Sequence, residues 1–123
     1  MRGPGPRRGQ QGAVTAETAV VLPLLALFTV AMVWMVCVGL TQVRALDAAR
    51  EVARAAARSE SSAEATSLGR QVAPEGSTIS VHEGEQTVVA TVRSPVRGPA
   101  GILGRLAGIR VTGRAVAAQE PDQ

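Results

Sequence analysis

Aromatic side chains are almost missing from this chain: they make up 2% of 123 residues, namely Phe28 and Trp34, and there is no tyrosine. Both lie inside one apolar run, so whatever folds after that run has no aromatic core and must pack with Val, Ile, Leu and Ala. Burying one Val or Ile contributes about 1.5–3 kcal/mol. A handful of them makes a marginal domain, one that leans on its own helix or on neighbouring subunits. Cys37 is the single cysteine and sits within the apolar run, which excludes an intrachain disulfide and a cysteine metal centre. Such a thiol reads as a small hydrophobe.

Lysine is also missing, so arginine supplies every base of a chain with net charge +3. From Arg44 onward the arginines alternate with Asp47, Glu51, Glu60 and Glu64, the pattern of a solvated helix face. No aromatic residue stands near them to stack bases and no recognition motif is present, so nucleic acid is not an expected partner. Catalysis is not expected either. His82 is the only histidine, and beyond the apolar run there is no Cys, Tyr or Trp. Asp47 and Glu51 stand at helical spacing but are flanked by Arg44, Arg50 and Arg54, which makes them part of an ion-pair face. His82, Glu83 and Glu85 read as a charged hairpin tip, because adjacent loop residues rarely satisfy metal geometry. Gly101-Ile102-Leu103-Gly104 lacks the setting of a phosphate loop. No cofactor and no metal are expected.

What the chain does have is a sharp join. Residues 1–12 hold Arg2, Arg7 and Arg8, no acid, and several glycines and prolines: a basic, disordered leader. Glu17 follows, and then no charged residue appears from Thr18 to Val43, a stretch long enough to cross a bilayer core. This predicts a transmembrane helix over 13–42. The run is too long for a removable secretory core, and the residues after it give a poor cleavage pattern. Positive charge before the run places the N-terminus in the cytoplasm and the remainder on the extracytoplasmic side. Pro23 removes one backbone hydrogen bond and predicts a kink.

Beyond the run, alanine is abundant and no proline occurs before Pro74, so an alanine-rich helix is expected over 43–73. Val43, Leu46, Ala49, Ala53, Ala56 and Ala57 recur at helical intervals as a narrow stripe of small residues, suited to close packing on a sheet or a sibling helix. A small β region is expected over 74–118. Thr78 to His82 alternates, Glu83-Gly84-Glu85 turns, and Gln86 to Arg93 resumes with Val88, Ala90 and Val92 on one face. Ser94 to Gly108 reads as a loop, with a short turn burying Ile102, Leu103 and Leu106. Ile109, Val111, Gly113 and Ala115 alternate as a third strand, and 119–123 is a disordered tail. The expected class is α+β: a long N-terminal transmembrane helix, kinked at Pro23 and continuing outside the membrane, then a small antiparallel region of about three strands.

The junction itself carries a resemblance. Gly12 directly precedes Ala13, and Glu17 is the fifth residue counted from Ala13, with basic residues before the glycine and an apolar helix after it. This arrangement resembles the processing site of type IV prepilins. The run Gly-Ala-Val-Thr-Ala-Glu-Thr-Ala followed by Val-Val-Leu-Pro is most similar to the TadE-like pseudopilins, or minor pilins, of tight-adherence (Flp-type) pilus systems. The resemblance covers residues of about 9 to 40. Ala13 is small where many pilins begin with a large apolar residue, and Thr18 stands where Flp-type sites often have an aromatic, a pattern closer to a minor pilin than to a major one.

The resemblance implies cleavage of the Gly12–Ala13 bond by a prepilin peptidase, with Glu17 as a subunit-register carboxylate. An acid at mid-bilayer costs roughly 2.5–3.5 kcal/mol, less near the surface. The Ala13 ammonium of a neighbouring chain would relieve that cost in one axial register only. The implied partners are the prepilin peptidase, other pilins or pseudopilins, an inner-membrane pilus assembly platform and membrane lipid, and the implied role is pilus assembly and surface attachment. Read on position alone, Glu17 is simply an acid near a helix N-terminus, favoured by the macrodipole by about 0.3–1 kcal/mol, with Thr15 as a helix starter beside it. The competing function is an uncleaved single-pass anchor that presents a small extracytoplasmic protein-binding domain to a cell-envelope complex.

Overall fold

The computed structural model describes Gly3, residues 8–58, 61–98 and 108–119. Helix α1 runs over Arg8–Ala57, helix α2 over Ser62–Val72, and strands β1, β2 and β3 over Thr78–Glu83, Thr87–Pro95 and Arg110–Ala118. The strands form one antiparallel sheet in the order β1-β2-β3. This is the α+β arrangement of a long apolar helix followed by a three-stranded sheet. By contacts the chain divides into two units, residues 1–33 and 34–123.

In the first unit every described side chain from Gly9 to Val33 is exposed. Its apolar side chains, among them Leu22, Leu25 and Phe28, have no protein to pack against, and α1 is the one helix among the described residues long and apolar enough to cross a membrane. The helix passes through Pro23, where the ring removes the bond that the Ala19 carbonyl would otherwise accept. Three threonine hydroxyls in this unit donate to the carbonyl four residues back: Thr15 to Gln11, Thr18 to Val14 and Thr29 to Leu25, each at 2.9 Å. Each hydroxyl is thereby satisfied within the helix, as a lipid surround requires.

In the second unit the C-terminal part of α1 becomes the floor of a small core. Ala45, Ala48, Ala49, Val52, Ala53, Ala55, Ala56 and Ala57 are buried, against Val88, Ala90, Val92 and Val96 and Val111 from the sheet side. The buried stripe is rotated from the one the sequence pattern picks out. Val43 is 57% exposed and Leu46 is half-buried, whereas Ala45, Ala48 and Val52 are fully covered. The sheet approaches closely at the start of this stretch, at Ala45 and Leu46, whereas further along Val52 finds room in the core. At Gly113 a Cβ would collide with the backbone of Ala45 and Leu46, so β3 lies directly on α1. Gln42 Nε2 adds a hydrogen bond of 3.0 Å to the Thr112 carbonyl at the same place.

The single helix expected over 43–73 is two helices. Ser61 caps α2 with a reciprocal box: its hydroxyl accepts from the Glu64 N–H at 3.2 Å, and the Ser61 N–H donates to Glu64 Oε2 at 3.3 Å. The break lets α2 fold back on α1, where a Cβ on Gly69 would collide with Val52 Cγ2. Ala73 N–H returns to the Gly69 carbonyl at 2.8 Å and Pro74 ends the helix. The turn to β1 carries Gly76 at φ +76°, with the Ser77 N–H donating to the Pro74 carbonyl at 3.3 Å. That φ is a conformation glycine adopts without strain. Buried Ser94 is matched by Ser77, Oγ to Oγ at 2.7 Å.

The strands fall where alternation places them, with ends that differ by up to three residues, the largest difference being the extension of β3 to Ala118. Val88, Ala90 and Val92 share the buried face of β2 as expected. The turn is Gly84 to Gln86, closed by the Gly84 N–H to the Thr87 carbonyl at 2.8 Å. Ile109 precedes β3 and is exposed. The expected burial of Ile102, Leu103 and Leu106, and the expected tail past Gln119, lie outside the described residues. Replacing Gly113 with Ala should destabilise the fold by about 1–3 kcal/mol through overpacking. Gly39→Ala, with nothing within 4 Å of the added carbon, should not. Denaturant titration of the detergent-solubilised protein measures both, and equal stabilities would show that the sheet does not rest on the helix backbone.

Candidate functional site at the head of the apolar helix

Gly12, Ala13, Glu17 and Pro23 all lie on α1 within the first unit. The helix begins at Arg8, so Gly12 is helical rather than part of an irregular leader, and Thr15 is inside the helix rather than starting it. Around Gly9 and Gly12 there is open space, with nothing within 4 Å of a Cβ placed on either. Each glycine weakens a helix by about 1 kcal/mol relative to alanine. Two of them, Gly9 and Gly12, fall in the first two turns and weaken the helix there.

Glu17 is exposed and, among the described residues, its carboxylate has no hydrogen-bond or ion-pair partner. α1 has no acid in its first turn, and Glu17 lies more than two turns beyond Arg8. The macrodipole acts over the first turn, so a favourable helix terminus does not account for Glu17 in the intact chain. Removal of the residues through Gly12 would change that. The N-terminus would move to Ala13, one turn from Glu17, and the freed N–H groups and the new ammonium would both face the acid's end of the helix.

The remaining sequence candidates are dispersed. Asp47 pairs with Arg50 at 3.4 Å, both more than half exposed, which is the weak surface pair expected there. Glu83 Oε1 accepts from Ser62 Oγ at 3.1 Å and so ties the hairpin tip to the start of α2. Among the described residues no group of three His, Cys, Asp or Glu side chains converges. Missed by the pattern reading were the threonine back-bonds, for which Thr at 15, 18 and 29 within an apolar run was the available signal, and the seating of Trp34. Its ring occupies the space a Cβ on Gly98 would need.

Comparison with known proteins bears on this segment. Residues 12–54 match the family described as TadE-like protein. A Mycobacterium tuberculosis protein named an apoptosis inhibitor is 44% identical over 73 residues, a match that takes in 55% of this chain and 58% of that protein. The chain thus spans little more than half the length of that relative. No solved structure matches the chain significantly.

Because the Glu17 carboxylate has no hydrogen-bond or ion-pair partner among the described residues, Glu17→Gln should leave the stability of the isolated protein within about 0.5 kcal/mol of the wild type. Thermal melting in detergent would test this, and a clear loss would show that the carboxylate serves the fold of its own chain.

Proposed function

We propose that this chain, TadE-like over residues 12–54, is a minor pilin or pseudopilin that assists assembly of a tight-adherence type IV pilus and so surface attachment. The observation that carries the reading is the Glu17 carboxylate, without a partner among the described residues, on a helix that is uncharged from Thr18 to Val43, inside the segment that matches the family. It is supported by the weakened glycine turns around the Gly12–Ala13 bond and by an α1 surface left bare for lipid or sibling helices. The family is one of structural proteins, and the reading assigns no catalysis.

In this reading the chain is a single-pass protein of the cytoplasmic (inner) membrane, with its N-terminus in the cytoplasm and the sheet outside. A prepilin peptidase cuts after Gly12. The Ala13 ammonium, with a reference pKa of about 7.7–8.0, then meets the Glu17 carboxylate of a neighbouring pilin within low dielectric. An unpaired acid there is costly and a paired one is not, so the pair selects one axial stagger. Pro23, with the Ala19 carbonyl left over, supplies a bend with which α1 can follow its neighbours. The inner-membrane assembly platform is the further partner of this scheme.

The test is Glu17→Gln in cells that build these pili. Membrane level and removal of the leader should stay near wild type, while piliation counted by electron microscopy should fall at least tenfold, the effect of about 1.4 kcal/mol in assembly. Normal piliation would refute the register role.

A further inference from the structure

We propose that a groove beside the end of the apolar run, in the second unit, holds the phosphate headgroup of an anionic phospholipid. The groove has a volume of about 260 Å³ and runs between α1, at Leu40 and Arg44, and the segments carrying Pro74, Glu75, Pro95 and Arg97. Its two walls differ in chemistry. On the α1 side Cys37 and Leu40 make an apolar floor that continues onto the exposed Val36. Two arginines, Arg44 and Arg97, also line the groove.

Position selects a lipid over a free anion. Arg44 is the first charged residue after the apolar stretch that begins at Thr18. A helix that spans a bilayer therefore puts Leu40 to Arg44 at the level where hydrocarbon gives way to headgroups. A soluble phosphate would gain nothing from Leu40 and Cys37, whereas an acyl chain leaving the groove runs down the exposed α1 surface. Arginine is the side chain whose fork fits phosphate oxygens, and the net charge of the two arginines is only partly offset. Arg97 Nη1 donates to Glu75 Oε2 at 3.3 Å, with side chains 66% and 88% exposed, a pair worth little in water. The other guanidinium N–H groups of Arg97, and those of Arg44, have no acceptor among the described residues.

The groove is held open by rigid parts. Pro74 precedes the Gly76 turn, Pro95 ends β2, and Gly98 is clamped by the Trp34 ring immediately after Arg97. Trp34 is the only tryptophan, and its ring packs against Gly98, next to the groove residue Arg97, so its emission reports on the surroundings of that segment. The inference rests on α1 spanning a membrane and is independent of any role in a pilus.

The test uses the full chain in nanodiscs of phosphatidylcholine with and without phosphatidylglycerol. Native mass spectrometry reads retained lipid, and Trp34 fluorescence reads the segment beside Arg97. The wild type should retain phosphatidylglycerol over phosphatidylcholine by about thirtyfold, the size expected from two arginines near a membrane surface, and Trp34 emission should shift with it. Arg44→Gln with Arg97→Gln should abolish the preference, Glu75→Gln should raise it, and Arg114→Gln, on the outer sheet face, should leave it unchanged. Equal retention of the two lipids by the wild type would overturn the proposal whatever the variants do. So would a matching loss in Arg114→Gln, which would mean diffuse charge attraction, or displacement of the lipid by millimolar inorganic phosphate, which would mean a soluble-anion site. Failure of the wild type to enter nanodiscs at all would refute the membrane span, and the groove's ligand with it.

Discussion

The second unit depends on one close approach, β3 laid directly on the backbone of α1. A Cβ at Gly113 would collide with the Ala45 carbonyl group, and the helix meets the sheet with alanines at 45, 48, 49, 53 and 56. With no aromatic residue after Trp34, the chain has little bulk to fill a wide interior. It closes the distance between its layers instead, which keeps a thin core dense. Four valines, Val52, Val88, Val92 and Val96, provide the largest fully buried side chains of that core. The same logic draws α2 against α1, with Gly69 giving way to Val52.

Such a seam leaves α1 with two kinds of surface. Residues from Trp34 to Ala57 supply partners to the sheet and to α2, and their charges, Asp47 with Arg50 among them, stay in water. The described side chains from Gly9 to Val33 are exposed, and most are apolar, with self-satisfied threonines among them. Glu17 is the exception in that stretch. An acid with no partner among the described residues and no helix terminus beside it is not explained by the packing around it, whereas the proposed cut at Gly12 would supply both a new terminus and a new ammonium. That is why the pilin reading rests on chemistry at Gly12 and Glu17 rather than on the sheet.

Much of the architecture was legible. The apolar stretch without charge, the three alternating segments and the glycine turn after Glu83 each carry a strong periodic or local signal, and β1, β2 and β3 lie within three residues of them. The break between α1 and α2 was written in the chain as Ser61 with Glu64 three residues later, a capping box outweighed by the high helix propensity of its alanine-rich flanks. The facing of α1 was misread because Val43 and Leu46 look like core residues by hydrophobicity, whereas a seam this tight admits alanine and excludes them. That is a property of the distance between layers, which no local pattern encodes. At the head of α1 the glycine, the acid and their spacing were legible, but the start of the helix at Arg8 was not, because Pro4, Pro6 and the glycines obscure it.

The account turns on whether the chain that functions in the membrane begins at Met1 or at Ala13. Intact-mass measurement of the protein extracted from membranes of piliated cells decides this most directly. The account predicts a chain starting at Ala13, with residues 1–12 removed. A full-length mass that retains Met1 or Arg2 would contradict it and leave Glu17 without the amine it is proposed to meet.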